Sequence, residues 1–255
     1  IATWDDHDFG LNDGGKYYCK KEESKQLFLD FFQEPKNSER RKHAGIYTSY
    51  YYNYGDKIVQ VILLDTRTFR SDLTKYSGEV KDDPRYFYDL DYYKNISKDS
   101  TLLGNEQWFW LENELKNKAD LRIIGSPTQF GIEYNGYEAW ANFPKEQKKM
   151  FDLIVNNKIE HVVFISGDVH YGEISKVDLE NCYPLYDITS SGLSSKWHFA
   201  TPNTNRVEGP IMENHFGLIT VNWNDKNPYL ICEIWDDKNN QRIEFQIRLE
   251  DLEFK

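Results

Sequence analysis

Four consecutive residues, Asp5-Asp6-His7-Asp8, place three carboxylates and an imidazole side by side near the start of the sequence. Neighbouring like charges repel, so such a run persists only where solvent or a cation offsets it. Far downstream, Ser166-Gly167-Asp168-Val169-His170 follows the apolar run His161-Val162-Val163-Phe164-Ile165. That run reads as a buried strand, and strand ends are favoured places for sites in α/β architectures. Gly167 and Gly172 flank the second pair, where backbone can come close to a ligand. Taken singly, an acidic turn or an Asp-x-His pair is an ordinary surface feature. Together, carboxylate and imidazole donors at a strand end suit a cluster of hard or borderline metal ions.

A chain of 255 residues has room for one large domain with a sizeable core, and no repeat or linker divides it. With 18 Tyr, 15 Phe and 7 Trp it has the aromatic content of a folded globule rather than a disordered chain. The formal net charge of −11 argues against a groove for nucleic acid and against binding to an anionic membrane surface. A phosphate-bearing substrate would therefore need local cations, which bound metals supply. Cys19, Cys182 and Cys232 show no CxxC spacing and make no disulfide framework; one bridge plus a free thiol stays open. The sequence contains no apolar stretch of transmembrane length. Oligomeric state is not readable from it.

Ile1-Ala2-Thr3 reads as the end of a strand, with the acidic run on an irregular loop after it. On that reading the chain is expected to be N-terminally incomplete. Leu27, Phe28, Phe31 and Phe32 recur at helical spacing over residues 24–32, with Ser24 as N-cap. Residues 45–54 and 57–65 predict a hairpin around Gly55-Asp56. Residues 69–101 keep no period and read as a long excursion. Asn105 is expected to cap a helix that runs through Lys118 and buries Trp108, Leu111 and Leu115, and Pro144 sits at the first position of another, carrying Met150, Phe151 and Ile154. Strands are expected at 121–126, 161–165, 172–179, 184–189, 216–223, 229–235 and 242–249. The alternation of strand and helix giving way to consecutive strands predicts an α/β fold with two packed sheets and helices outside.

The motifs, taken in order, resemble those of the PhoD-like alkaline phosphatases, a branch of the calcineurin-like metallophosphoesterases. Trp4-Asp5-Asp6-His7-Asp8-Phe9-Gly10 with Asn12-Asp13-Gly14-Gly15 comes first, then Leu64-Asp65-Thr66-Arg67 with Arg70. Leu103-Gly104, Gln107-Trp108 and Trp110-Leu111 follow, then Ser126-Pro127-Thr128-Gln129 and Trp140-Ala141-Asn142-Phe143-Pro144. Ser166 to Ile174, Thr189-Ser190-Ser191-Gly192-Leu193 and Phe216-Gly217 complete the set, which covers nearly the whole chain.

The resemblance implies a single domain over residues 1–255, built as two mixed β-sheets packed together and flanked by helices in four αββα layers. It implies a site for two divalent or trivalent metal ions (calcium, iron, manganese or zinc), with Asp6, Asp168 and His170 as ligands. It implies hydrolysis of phosphate mono- or diesters, the diester favoured, by in-line attack of a metal-activated water. His7 would stabilise developing charge or protonate the leaving oxygen, and Asp8 would hold its tautomer. Arg67 and Arg70 are the candidates for phosphate contact, since a guanidinium fork suits phosphate. His43, His161, His198 and His215 are expected to be structural or surface residues, and Trp108 and Trp110 to pack the helix. A further His ligand belongs where Ser126-Pro127-Thr128-Gln129 stands. The family's first two metal-binding motifs are expected upstream of residue 1. The alternative reading is therefore an inactive remnant, or one piece of a split protein that needs an N-terminal segment. An exported location follows from the family analogy alone.

Overall fold

The turn at Gly55-Asp56 joins β1 (Thr48–Tyr54) to β2 (Lys57–Leu63), an antiparallel pair with Tyr54 opposite Lys57, as the sequence predicts. The computed structural model describes residues 1–78, 91–224 and 226–255. From β2 the sheet grows by parallel pairing to β3 (Leu121–Ser126), β4 (Val162–Ser166) and β6 (Leu185–Ser190). Antiparallel β5 (Gly172–Val177) and β7 (Arg206–Ile211) complete seven strands in the order β1-β2-β3-β4-β6-β5-β7.

The β-branched and aromatic runs of β2, β3 and β4 bury their side chains because parallel strands lie inside a layered fold. Ile62, Ile124 and Phe164 fall in register across them and join Trp108, Leu111, Met150 and Ile154 in one core. Those last four residues come from α3 (Gly104–Glu114) and α4 (Pro144–Asn156), which cover that face; Pro144 starts α4, where its missing N–H costs no helical bond. Trp108 donates its indole N–H to Glu146 at 2.9 Å, tying the two helices together.

The second sheet holds β8 (His215–Asn222), β9 (Tyr229–Asp236) and β10 (Gln241–Arg248) in the order β10-β9-β8. Its pairing is antiparallel throughout, so only one of the two expected mixed sheets is mixed. Three consecutive strands joined by short turns have no crossover with which to pair in parallel. Leu230, Cys232 and Ile234 alternate onto its inner face and join the common core, where β8 meets β5 and β6 and β10 meets β7.

Several local expectations give way. Residues 1–5 form no strand, and the acidic run is a single helical turn, α1 (Asp6–Phe9). Helix α2 (Lys21–Phe31) begins before Ser24 and buries Phe28 and Leu29, leaving Leu27 and Phe31 exposed. Helix α3 starts at Gly104, so Asn105 lies within its first turn rather than capping it. The strand β7 was not foreseen. Its Gly209-Pro210 step reads as a strand breaker, and Pro is tolerated there because β7 lies at the sheet edge. Within the excursion over 69–101, residues 79–90 lie outside the described residues; Lys75 and Tyr92 form an isolated bridge. Among the described residues, no helix is long and apolar enough to cross a membrane.

Where β2 ends, the fully buried Gln107 of α3 pairs with the Asp65 backbone in both directions, accepting its N–H at 2.8 Å and donating to its carbonyl at 2.7 Å. Gln107→Ala leaves both backbone groups buried without partners. The expected loss in chemical denaturation is about 2–3 kcal/mol; a loss within error of zero would show that this clamp is unimportant.

Candidate active site

Trp4 and Phe9 bracket the acidic run, and both are buried with Phe28, Leu29 and Ile46 in a satellite core. The Trp4 ring meets Phe9 and Phe28 edge-on, with centroids 5.2 and 5.5 Å apart. These anchors hold the short turn that carries Asp5, Asp6, His7 and Asp8 at the end of the large sheet. The Asp6 carboxylate is pinned from both sides, accepting the His7 N–H at 2.7 Å and the Asp13 N–H at 3.0 Å.

Opposite it, β4 ends in Ser166, whose hydroxyl lies 2.8 Å from that of Thr189 on β6. Gly167 donates its N–H to the Pro127 carbonyl, and the chain then turns sharply. Asp168 and His170 take left-handed backbone conformations, with φ of 78° and 55°. Non-glycine residues hold such angles only where the surroundings dictate them, and functional sites are where they gather. The His170 N–H is held by Ser191 at 2.9 Å.

The turn therefore brings Asp168 to the acidic run. One carboxylate oxygen from each of Asp5, Asp6 and Asp168 lies within 4.8 Å of the others. Burial pushes the Asp168 carboxyl well above its ordinary value, and repulsion from Asp5 and Glu138 adds to this. Three close carboxylates, of which only Asp5 meets the Arg67 guanidinium, fit an oxygen-liganded cation, which would supply the missing charge. His170 lines the same cavity, of about 580 Å³, but lies outside this compact group.

His7 also lines that cavity, with its side chain largely exposed and Nε2 4.0 Å from the Asp6 carboxylate. Asp8, assigned above to the His7 tautomer, instead accepts the Asp5 N–H at 3.4 Å across the base of the turn. Asp6 is the carboxylate beside the imidazole.

Arg67 and Arg70 lie behind the cavity wall, fully buried. Asp65 accepts the N–H groups of Arg67 and Thr68, both at 2.9 Å, forming the tight turn that sends Arg67 back towards the site. Arg67 directs Nε and Nη2 to Asp5 and Nη1 to both oxygens of Glu138, at 2.8 and 3.0 Å. Arg70 donates to the carbonyls of Asp13 and Gly14 and holds Nε 3.5 Å from Glu138. To bind phosphate as expected, Arg67 would first have to leave Asp5 and Glu138.

At the place where a further His ligand was expected, Thr128 and Gln129 are buried, and Gln129 bonds Glu173 at 2.9 Å and Thr189 at 3.1 Å. Of the other histidines, His43 stacks on Tyr47, His161 pairs with Glu253, His198 lies against Phe199 and buried His215 contacts the Glu213 carbonyl. Sequence reasoning gave no role to Asp5, although it stands in the motif. It missed Glu138 altogether, since an isolated acid in Tyr134-Asn135-Gly136-Tyr137-Glu138 carries no local signal.

The cluster makes a prediction about stability. Without metal, Asp168→Asn is expected to melt above the parent, because it relieves repulsion among the three carboxylates. Manganese at a hundredfold excess over its dissociation constant should stabilise the parent by about 2.7 kcal/mol and leave the variant unmoved. Equal stabilisation of both proteins would remove Asp168 from the metal group.

Comparison with known proteins agrees with this geometry. The family model described as PhoD-like phosphatase matches residues 1–215. Alkaline phosphatase D of Bacillus subtilis (strain 168) is 23% identical over 212 residues, which take in 71% of this chain and 32% of that protein. A solved structure described as "Structure of PhoD" superposes with a TM-score of 0.56 at 15% identity, covering 97% of this chain and 54% of that one. The chain thus spans about a third of the length of the curated relative and about half of the solved one. A family match over most of the sequence, with the shared fold and an acidic group at the strand ends, makes this chain a member of the PhoD-like phosphatase family.

Proposed function

We propose that these residues form the catalytic face of a metal-dependent phosphoester hydrolase that prefers diesters to monoesters. The observation that carries the reading is the convergence of Asp5, Asp6 and Asp168 beside His7 on one open cavity. That cavity extends past the carboxylates to Tyr137 and Trp197, leaving space for an organic group on the far side of a phosphate.

Asp5, Asp6 and Asp168 would hold metal, with His170 on the same wall as a further donor. An all-oxygen group suits calcium, manganese or iron, and an imidazole widens the choice to iron or zinc. Metal ions bound there would supply Lewis acidity towards the phosphoryl oxygens and lower the pKa of water for in-line attack. The chain's own part is to orient and to move protons. Asp6, fixed by two N–H donors, keeps its carboxylate aimed at the cavity. The exposed His7 ring reaches the cavity mouth, where it would protonate the leaving oxygen. Arg67 and Arg70 would act on the phosphate through the field they set behind the wall; direct contact by Arg67 would require its release from Glu138.

A second reading is favoured by a second cavity. An apolar cleft of about 610 Å³ runs over Val61, Ile123 and Ile165, on the sheet face away from the helices, and reaches Ile1 at one end and Ile219 of β8 at the other. A further polypeptide segment laid there would cover these apolar side chains and bring added metal ligands to the site, and on that reading the 255 residues alone would be inactive.

Hydrolysis of bis(p-nitrophenyl) phosphate with added manganese separates the two. The enzyme reading expects turnover that a chelator abolishes, and a fall of roughly 10²–10⁴-fold in His7→Ala. Unchanged turnover in His7→Ala would sink the role given to that residue. Metal binding without turnover would favour the second reading.

A further inference from the structure

We propose that Glu138 is a positioning residue for metal binding, acting on Asp5 through the buried guanidinium of Arg67. This rests on the reading of the site as a metal centre. Arg67 bridges two carboxylates at once, and it does so unequally. Both of its contacts with Asp5 go to Oδ1, leaving Oδ2 clear of the guanidinium, while Nη1 spans both oxygens of Glu138. A planar guanidinium has fixed donor directions, so gripping Glu138 fixes where the rest of the fork meets Asp5.

The chemistry needs such a counterweight. A buried cation beside a lone carboxylate is drawn onto it and neutralises it, which would remove a metal ligand. Glu138 takes part of the Arg67 charge and fixes the direction of the fork, so that Asp5 is gripped through Oδ1 alone and keeps Oδ2 for a cation. Glu138 itself is well placed for this: Arg67 and Arg70 outweigh the effect of burial and hold its carboxyl below the ordinary value. Arg70, with Nε 3.5 Å from Glu138, donates to the Asp13 carbonyl, and Asp13 donates its backbone N–H to Asp6 at 3.0 Å. The same acid therefore supports the segments that carry two members of the metal group.

The test is manganese affinity, read from the free-ion electron paramagnetic resonance signal, with folding of each variant checked by circular dichroism. Glu138→Gln is expected to weaken binding by about 10–100-fold, the range typical of partners that orient a metal ligand. Glu138→Asp keeps the charge and retracts it by one methylene, so it is also expected to bind more weakly; it serves alone if the glutamine variant does not fold. In an Asp5→Asn background, either change should cost less than about twofold, since residues acting through one another are not additive. Parent-like affinity in Glu138→Asp, or losses that persist in full beside Asp5→Asn, would overturn the inference. No manganese binding by the parent would instead overturn the functional reading on which it rests.

Discussion

The site depends on one buried cation. Arg67 is fully buried, and burial alone opposes its charge, yet Glu138 and Asp5 more than restore it. Taking such groups out of water costs several kcal/mol per ion, offset only by close, well-directed partners. Removing any one member leaves the others buried and uncompensated, a change that typically costs about 3–5 kcal/mol. The arrangement therefore ties the stability of the acidic wall to its geometry. The fold supplies the directions: the Gln107 clamp at the end of β2 and the Asp65 turn aim Arg67 inward, while Trp4 and Phe9 fix the turn that carries Asp5.

Legibility in the sequence followed the range of the interactions involved. The hairpin at Gly55-Asp56, the Trp108-Leu111-Leu115 stripe and the Pro144 helix start are local signals, and each formed where it was expected. The apolar run before Ser166 likewise delivered Asp168 to the sheet end. Errors arose where tertiary context overrode local pattern. Helix α2 carries apolar residues on more than one face, and periodicity chose Leu27 and Phe31 where packing chose Leu29. Strand β7 was hidden by Gly209-Pro210, because whether a strand lies at a sheet edge is a property of the whole topology.

The same limit explains what was read of the site. The acidic run and the Asp168-x-His170 pair stand out because several donors are adjacent in sequence. The contacts that organise them are not: Arg67 meets Asp5 across 62 residues and Glu138 across 71. From type alone, a guanidinium near a phosphoester site reads as a phosphate ligand. In the structure both are buried, with Arg67 held between Asp5 and Glu138 and Arg70 donating to the carbonyls of Asp13 and Gly14.

If Asp5, Asp6 and Asp168 hold a cation together, anomalous diffraction from crystals grown with manganese will show it. A peak is expected about 2–2.5 Å from carboxylate oxygens of all three residues, a distance set by metal–oxygen coordination. A peak elsewhere, or an empty acidic group at saturating manganese, would contradict it.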